Sequence, residues 1–168
     1  VSMLTLDCSD YIDNQVTEYS AQELEEKYLE IDADSRKEWE ATYLEKEFDF
    51  EDFSIRFDKA TLMYNAVQYH AGIEYMIKIF NKYVRPLDKG IDFEVSIDET
   101  MTVTSPASHF FVANELYKHD IKVNSLAPRF IGQFQKGIDY MGDIEAFELD
   151  FSQHCQIADH FGYKISVH

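Results

Sequence analysis

The feature that most constrains this chain is a set of strand-like segments that alternate in polarity and are separated by helix-length stretches. Leu4 and Leu6 alternate with Thr5 and Asp7. Phe93, Val95 and Ile97 alternate with Glu94, Ser96 and Asp98, and Ile165 and Val167 with Lys164, Ser166 and His168. Strands that alternate with helices indicate parallel βαβ units. A doubly wound sheet and a (β/α) barrel both fit that order. An open parallel sheet covered on both faces usually shows apolar residues on both. Here one face of each strand is polar, which favours an α/β fold of the parallel, TIM-barrel-like (β/α) type with the polar set toward the lumen.

The elements can be placed along the chain. Ser2–Asp7 reads as a strand and 8–19 as loop. Ser20 and Glu23 make a capping box for a helix over Ala21–Ile31, and a second acidic helix is predicted over Ser35–Phe48, with Trp39, Tyr43 and Phe48 apolar. This pair reads as an acidic helical insertion at about 18–52. Phe53–Phe57 suits a short strand or hairpin arm. Asp58 can cap a helix over Lys59–Arg85, with a core stripe of Leu62, Ala66, Tyr69, Ile73, Ile77 and Phe80, ended by Pro86 and Gly90. Then follow a strand over Asp92–Asp98, a helix from Pro106 to His119 capped by Ser105, and a strand over Lys122–Leu126. A helix over Asp143–Phe161 stops at Gly162, and Tyr163–His168 is the last strand. A whole barrel takes eight strands and ~250 residues. The 168 residues are therefore expected to form a single partial barrel domain, 1–168, about half of the barrel and inactive alone. Its two sheet edges leave a homo-oligomer open as an outcome.

Composition narrows the function. The formal net charge of −17, from 32 acids against 15 bases, argues against nucleic acid and against an anionic membrane surface. It does not exclude a small anionic substrate, since one Arg in a pocket outweighs a remote acidic surface. Most of the excess lies between Glu18 and Asp52 and reads as a solvated face. Cys8 and Cys155 are far apart and form no CxxC, which suggests a reducing compartment. No apolar run approaches the ~18 residues of a membrane span, and no basic segment followed by an apolar stretch opens the chain. Together these point to a cytoplasmic enzyme.

The candidate chemistry sits at strand ends. Period-two geometry places Asp7, Asp98 and His168 on the inward set, each at the C-terminal end of its strand, which is the active-site face of barrel enzymes. Glu99 adds a second carboxylate beside Asp98, and Glu94 lies one layer below. A His with two or three carboxylates suits Mn, Co, Ni or Zn as a divalent ion, with Asp98, Glu99 and His168 as ligand candidates. Asp98, Glu99 and Glu94 are the candidate catalytic carboxylates. The blander alternatives are that Asp7 caps a loop, that Asp98 and Glu99 cap the next helix, and that His168 is only the end of the chain. Arg129, just past Ala127-Pro128, can hold a substrate carboxylate by a bidentate contact, or form a surface ion pair. Lys164 is an inward candidate, as a Schiff-base lysine or as a charge partner for Glu94. Gly132 and Gly137 flank Phe134, Gln135 and Lys136, but no phosphate-binding fingerprint is present. His70, His109, His119, His154 and His160 fall on helices and read as surface or packing residues, with His109 set apart by its place just after the Asp98 mouth.

Several longer motifs occur in order: Phe93-Glu-Val-Ser-Ile-Asp-Glu-Thr100, Thr104-Ser-Pro106, Asn114-Glu-Leu116, Ser125-Leu-Ala-Pro-Arg-Phe130, Lys136-Gly-Ile-Asp-Tyr140 with Gly142-Asp143, and Lys164-Ile-Ser-Val-His168. Together they resemble the tagaturonate epimerase family of bacterial hexuronate catabolism, most closely from Asp92 to His168. The resemblance implies a metal-dependent enzyme that interconverts D-tagaturonate and D-fructuronate. The inverted carbon is β to the ketone, so retro-aldol cleavage and re-addition on the other face fits where α-proton removal does not. That chemistry needs a metal at the ketone, a base for the β-hydroxyl and a cation for the carboxylate, for which Arg129 is the candidate; Lys164 and Asp7 complete the candidate substrate-binding set. Two other readings compete: another metal-dependent sugar isomerase or aldolase on a TIM barrel, and a non-catalytic sugar-acid-binding barrel fragment.

Overall fold

Local signals set most element boundaries. Ser20 and Glu23 form the full capping box, with Glu23 N donating to Ser20 Oγ at 3.2 Å and Ser20 N to Glu23 Oε2 at 2.8 Å. Asp58, Ser105 and Asp143 each accept a bond from a first-turn amide of the helix that follows. Gly162 ends the last helix at φ 77°, a left-handed conformation that strains a residue with a Cβ.

The computed structural model describes residues 2–87, 90–134 and 137–168. Its elements are β1 (Met3–Asp7), α1 (Ala21–Glu30), α2 (Ala33–Tyr43), β2 (Lys46–Asp49), β3 (Ser54–Phe57), α3 (Lys59–Ile79), β4 (Asp92–Ser96), α4 (Pro106–Lys118), β5 (Ser125–Ala127), α5 (Ile144–Phe161) and β6 (Lys164–Ile165). Gln135 and Lys136, from the stretch between Gly132 and Gly137, lie outside the described residues.

The architecture is mixed α/β around a four-stranded sheet of order β1-β4-β5-β6, parallel throughout. Its register sorts the alternating residues into rows. Leu6, Val95, Leu126 and Ile165 align across the sheet, and the first three are buried in the core. Each such side chain contributes about 1.5–3 kcal/mol by leaving water. Thr5, Glu94, Ser125 and Lys164 form the neighbouring row on the other face. Because the strands are parallel, their C-terminal ends share one side, and the residues following them share one mouth.

Several boundaries differ from expectation: β4 ends at Ser96, so that Asp98 lies two residues past it, and α2 starts at Ala33. The second acidic helix stops at Tyr43; Glu45 turns the chain with φ 56°, and Phe48 lies in β2, paired antiparallel with β3. β5 starts only at Ser125, and Asn124 uses its side chain to accept from Phe93 N at 3.0 Å. β6 ends at Ile165, although Ser166 N still donates to Leu126 O at 2.9 Å. Beyond it, His168 reaches the Glu94 and Asp98 carboxylates.

The long helix α3 is buried round most of its girth. Met63, Val67, Gly72 and Met76 are buried beside the expected stripe, whereas Ile77 is only partly covered. The reason is that α1 and α2 pack on it as well as α4. The insertion is therefore an integral layer with an acidic exterior. Glu115 of α4 anchors it, accepting from Trp39 Nε1 at 3.0 Å and Tyr43 Oη at 2.5 Å. Among the described residues no helix is long and apolar enough to cross a membrane.

Candidate functional site

The polar row of the sheet is held by one buried carboxylate. Glu94 accepts from Thr5 Oγ1 at 3.1 Å and Ser125 Oγ at 2.6 Å, and its Oε1 lies 3.3 Å from His168 Nε2. Burial pushes the Glu94 carboxyl up, but the hydroxyls of Ser125, Ser166 and Thr5, with His168, outweigh it and hold the group below its usual range. One layer nearer the mouth, Ser96 Oγ donates to Asp98. Asp98 Oδ2 lies 3.5 Å from His168 Nδ1. His168 thus spans the two carboxylates.

Asp98, His168 and Arg129 line one cavity of about 260 Å³, with Pro128, Phe130 and Gly132 in its wall. Arg129 is exposed and its guanidinium donates to the Thr100 carbonyl. Among the described residues it forms no ion pair, so the surface-pair alternative is not realised. Its backbone is clamped by Thr104: Arg129 N donates to Thr104 Oγ1 and Thr104 N donates to Arg129 O, both at 2.9 Å.

The remaining candidates stand apart from this cavity. Asp7 lies at the same mouth, paired in register with Ser96, but its carboxylate caps the following turn. The Ser9 hydroxyl and then the Ser9 amide lower its carboxyl. Glu99 is exposed beside Asp98, and neither caps α4, because Ser105 does. The expected pairing of Lys164 with Glu94 is not formed: Lys164 is exposed, separated from Glu94 by β5 in the row, and His168 and the hydroxyls take that carboxylate instead.

As a metal centre the donors fit in type and in part in placement. If His168 donates Nε2–H to Glu94, its Nδ1 lone pair faces Asp98, the arrangement in which a carboxylate orients a ligating imidazole. No third donor joins them: among the described residues no group of three His, Cys, Asp or Glu side chains is arranged to hold an ion.

A second polar assembly lies behind Arg129, and reading the helical histidines as surface or packing residues missed it. His109 and His154 are both fully buried, with their Nδ1 atoms 2.8 Å apart. His109 Nε2 lies 2.5 Å from Tyr163 Oη, and His154 Nε2 lies 3.1 Å from Thr104 O and 3.5 Å from Asp150 Oδ1. The network assigns the protons. His154 donates from Nε2 to Thr104 O, so its Nδ1 accepts from His109, whose Nε2 accepts from Tyr163. Burial raises the Tyr163 hydroxyl, and burial first, with the neighbouring His154 second, pushes the His109 imidazole well below its usual range, in keeping with a neutral His109. The Asp150-x-x-x-His154 spacing was the available sequence signal, since residues four apart share a helix face.

Comparison with known proteins identifies the family. The family model for tagaturonate epimerase matches residues 1–168. The tagaturonate/fructuronate epimerase of Thermotoga maritima is 39% identical over 169 residues, covering 99% of this chain and 34% of the relative. A glycerol-complexed crystal structure of fructuronate-tagaturonate epimerase from Cohnella laeviribosi superposes with a TM-score of 0.96 at 49% identity, again over 99% of this chain and 34% of that one. The native crystal structure of the same enzyme gives 0.95 at 48% identity. The chain spans about a third of the length of these relatives. It belongs to the tagaturonate epimerase family.

Proposed function

We propose that this chain forms one side of the active site of a cytoplasmic, metal-dependent epimerase that interconverts D-tagaturonate and D-fructuronate in hexuronate catabolism. In this reading residues 1–168 are about half of a (β/α) barrel. The observation that carries it is the meeting of Asp98, His168 and Arg129 on one cavity at the strand ends. That cavity offers an acidic and imidazole wall for a cation and a guanidinium for a carboxylate, which is what a keto-acid sugar requires.

Each residue then has a role. Arg129 holds the substrate carboxylate through its planar fork. Asp98 and His168 would hold the divalent cation, and Glu94, fixed by Thr5 and Ser125, orients His168. When bound, the cation supplies Lewis acidity at the ketone oxygen. Glu99, exposed next to Asp98 in the chain but not in the cavity lining, would take the proton of the β-hydroxyl once substrate is bound. The bond between the α and β carbons breaks, its electron pair passes into the ketone half to give an enediolate, and the other half leaves as an aldehyde. The aldehyde turns, the enediolate re-adds to its opposite face, and Glu99 returns the proton to the new hydroxyl. No atom is gained or lost.

The test compares Asp98→Ala with Glu99→Ala in the full-length protein that carries this chain, by metal content and turnover. Asp98→Ala should lose both metal and turnover. Glu99→Ala should keep its metal and lose about 10²–10⁴-fold in rate, the usual weight of a general base. Retention of metal and turnover by both variants would remove the proposed site.

A further inference from the structure

The loop that carries Arg129 is held almost entirely from behind. Thr104 clamps Arg129 through two hydrogen bonds. The Thr104 carbonyl, in turn, receives Nε2–H of His154 at 3.1 Å. Asp150, one turn before His154 on α5, accepts from Ile131 N at 3.2 Å. Phe130, between these two anchored residues, meets the His154 ring edge-on at 5.4 Å and 87°. Residues 129–131 are therefore held by Thr104 and by one face of α5, with Tyr140 Oη also donating to Ile131 O at 2.9 Å, and His154 on that face is in turn fixed by His109 and Tyr163.

We propose that His154 is a positioning residue for substrate-carboxylate recognition, setting the place of Arg129 through Thr104, with His109 and Tyr163 fixing the tautomer that lets His154 donate. The inference rests on the carboxylate role given to Arg129 above. Its physical basis is directional. His154 can donate to Thr104 only from a protonated Nε2, and the neutral ring then needs a donor at Nδ1. His109 is that donor, and it in turn needs the Tyr163 hydroxyl at its Nε2. His109 and His154 are fully buried and Tyr163 partly so, and the loss of one member is transmitted to the next. None of them lines the cavity. Any effect on catalysis therefore passes through Thr104 and the 129–131 loop.

A double-mutant cycle on KM and kcat for tagaturonate tests this in the full-length protein. Arg129→Ala should raise KM. His154→Leu should raise KM by about fivefold to tenfold with kcat nearly unchanged, the size of coupling seen between residues of one hydrogen-bonded network. His154→Gln, which keeps an N–H near the Nε2 position, should recover most of that loss. In the Arg129→Ala background His154→Leu should have no further effect on KM. An equal rise in both backgrounds, or a fall in kcat alone, would show that His154 is merely structural while the Arg129 assignment stands. An unchanged KM in Arg129→Ala would overturn the carboxylate role itself, and the inference with it. Should His154→Leu fail to fold, Tyr163→Phe runs the same cycle with the same readings.

Discussion

Glu94 and His109 show how burial acts on single titratable residues. Glu94 keeps its charge because three hydroxyls and an imidazole surround it. His109 stays neutral first because it is fully buried, and second because another buried imidazole, His154, stands against it. Both have folded pKa values below their unfolded ones, so both stabilise the fold fully at higher pH and lose that contribution as pH falls. The windows differ. For His109 the loss begins at the ordinary value of 6.5 and continues downward toward the folded value, because the unfolded chain binds a proton that the folded one refuses. For Glu94 it lies below 4.5. Stability at pH ~5.5 should therefore fall about 1.4 kcal/mol below that at pH ~7.5 through His109 alone. Melting curves at the two pH values measure it, and His109→Gln should remove that part of the difference. An identical pH slope in wild type and variant would mean that His109 is charged in the fold. The faces of the strand residues were legible from sequence because a period of two fixes them, whereas the ends were not: β4 stops at Ser96 and β6 at Ile165, short of Asp98 and His168. The histidine pair was not, because it depends on how α4 meets α5, which no local pattern encodes.

At the level of elements, the acidic insertion is held by one carboxylate that it does not itself supply. Glu115 sits on α4 and is 3% exposed, yet it accepts from Trp39 and Tyr43 of α2 and lies 3.1 Å from Lys118 Nζ. Burial and then the Glu115 charge raise the Tyr43 hydroxyl, so it remains a donor. Rings of Tyr43, Phe57, Phe110 and Phe111 close round it, with Tyr43 and Phe57 centroids 5.0 Å apart. Glu115→Ala would strand two buried donors at once. The expected cost is about 3 kcal/mol, measured by the fall in melting temperature of the full-length protein. Glu115→Gln, which keeps an acceptor oxygen, should lose less. Equal losses would place the effect in packing rather than in hydrogen bonding. The cap of α1 was readable from Ser20-x-x-Glu23 and that of α3 from Asp58, whereas α2 starts at Ala33 behind the unread cap Asp32. The hairpin β2–β3 was readable only in its second arm, since Phe48 continues the apolar spacing of α2 and the positive φ at Glu45 leaves no mark in composition.

At the level of the whole molecule, two forces oppose each other. The parallel sheet carries β1 and β6 on its margins; among the described residues β1 pairs only with β4, and β6 only with β5. An unpaired strand margin offers a row of amides and carbonyls to another chain. Met3 and Val167, near those margins, are 46% and 47% exposed, which adds apolar surface to that offer. Against association stands a net charge of −17, carried largely by the solvated face of the insertion. Repulsion between two such chains acts over the Debye length, ~10 Å at 0.1 M salt and ~3 Å at 1 M. Edge pairing works at hydrogen-bond contact and is hardly screened. The 168-residue chain expressed by itself should therefore associate, and should do so more as salt rises. Light scattering on a sizing column should give a mass above 19.7 kDa that increases with ionic strength. Met3→Lys places a charge on the β1 margin without touching the cavity, and should shift the distribution toward the monomer. A sharply melting monomer at high concentration, in both low and high salt, would show that the margins are already satisfied within one chain. Association that weakened with salt would assign it to ion pairing between chains instead of to strand edges.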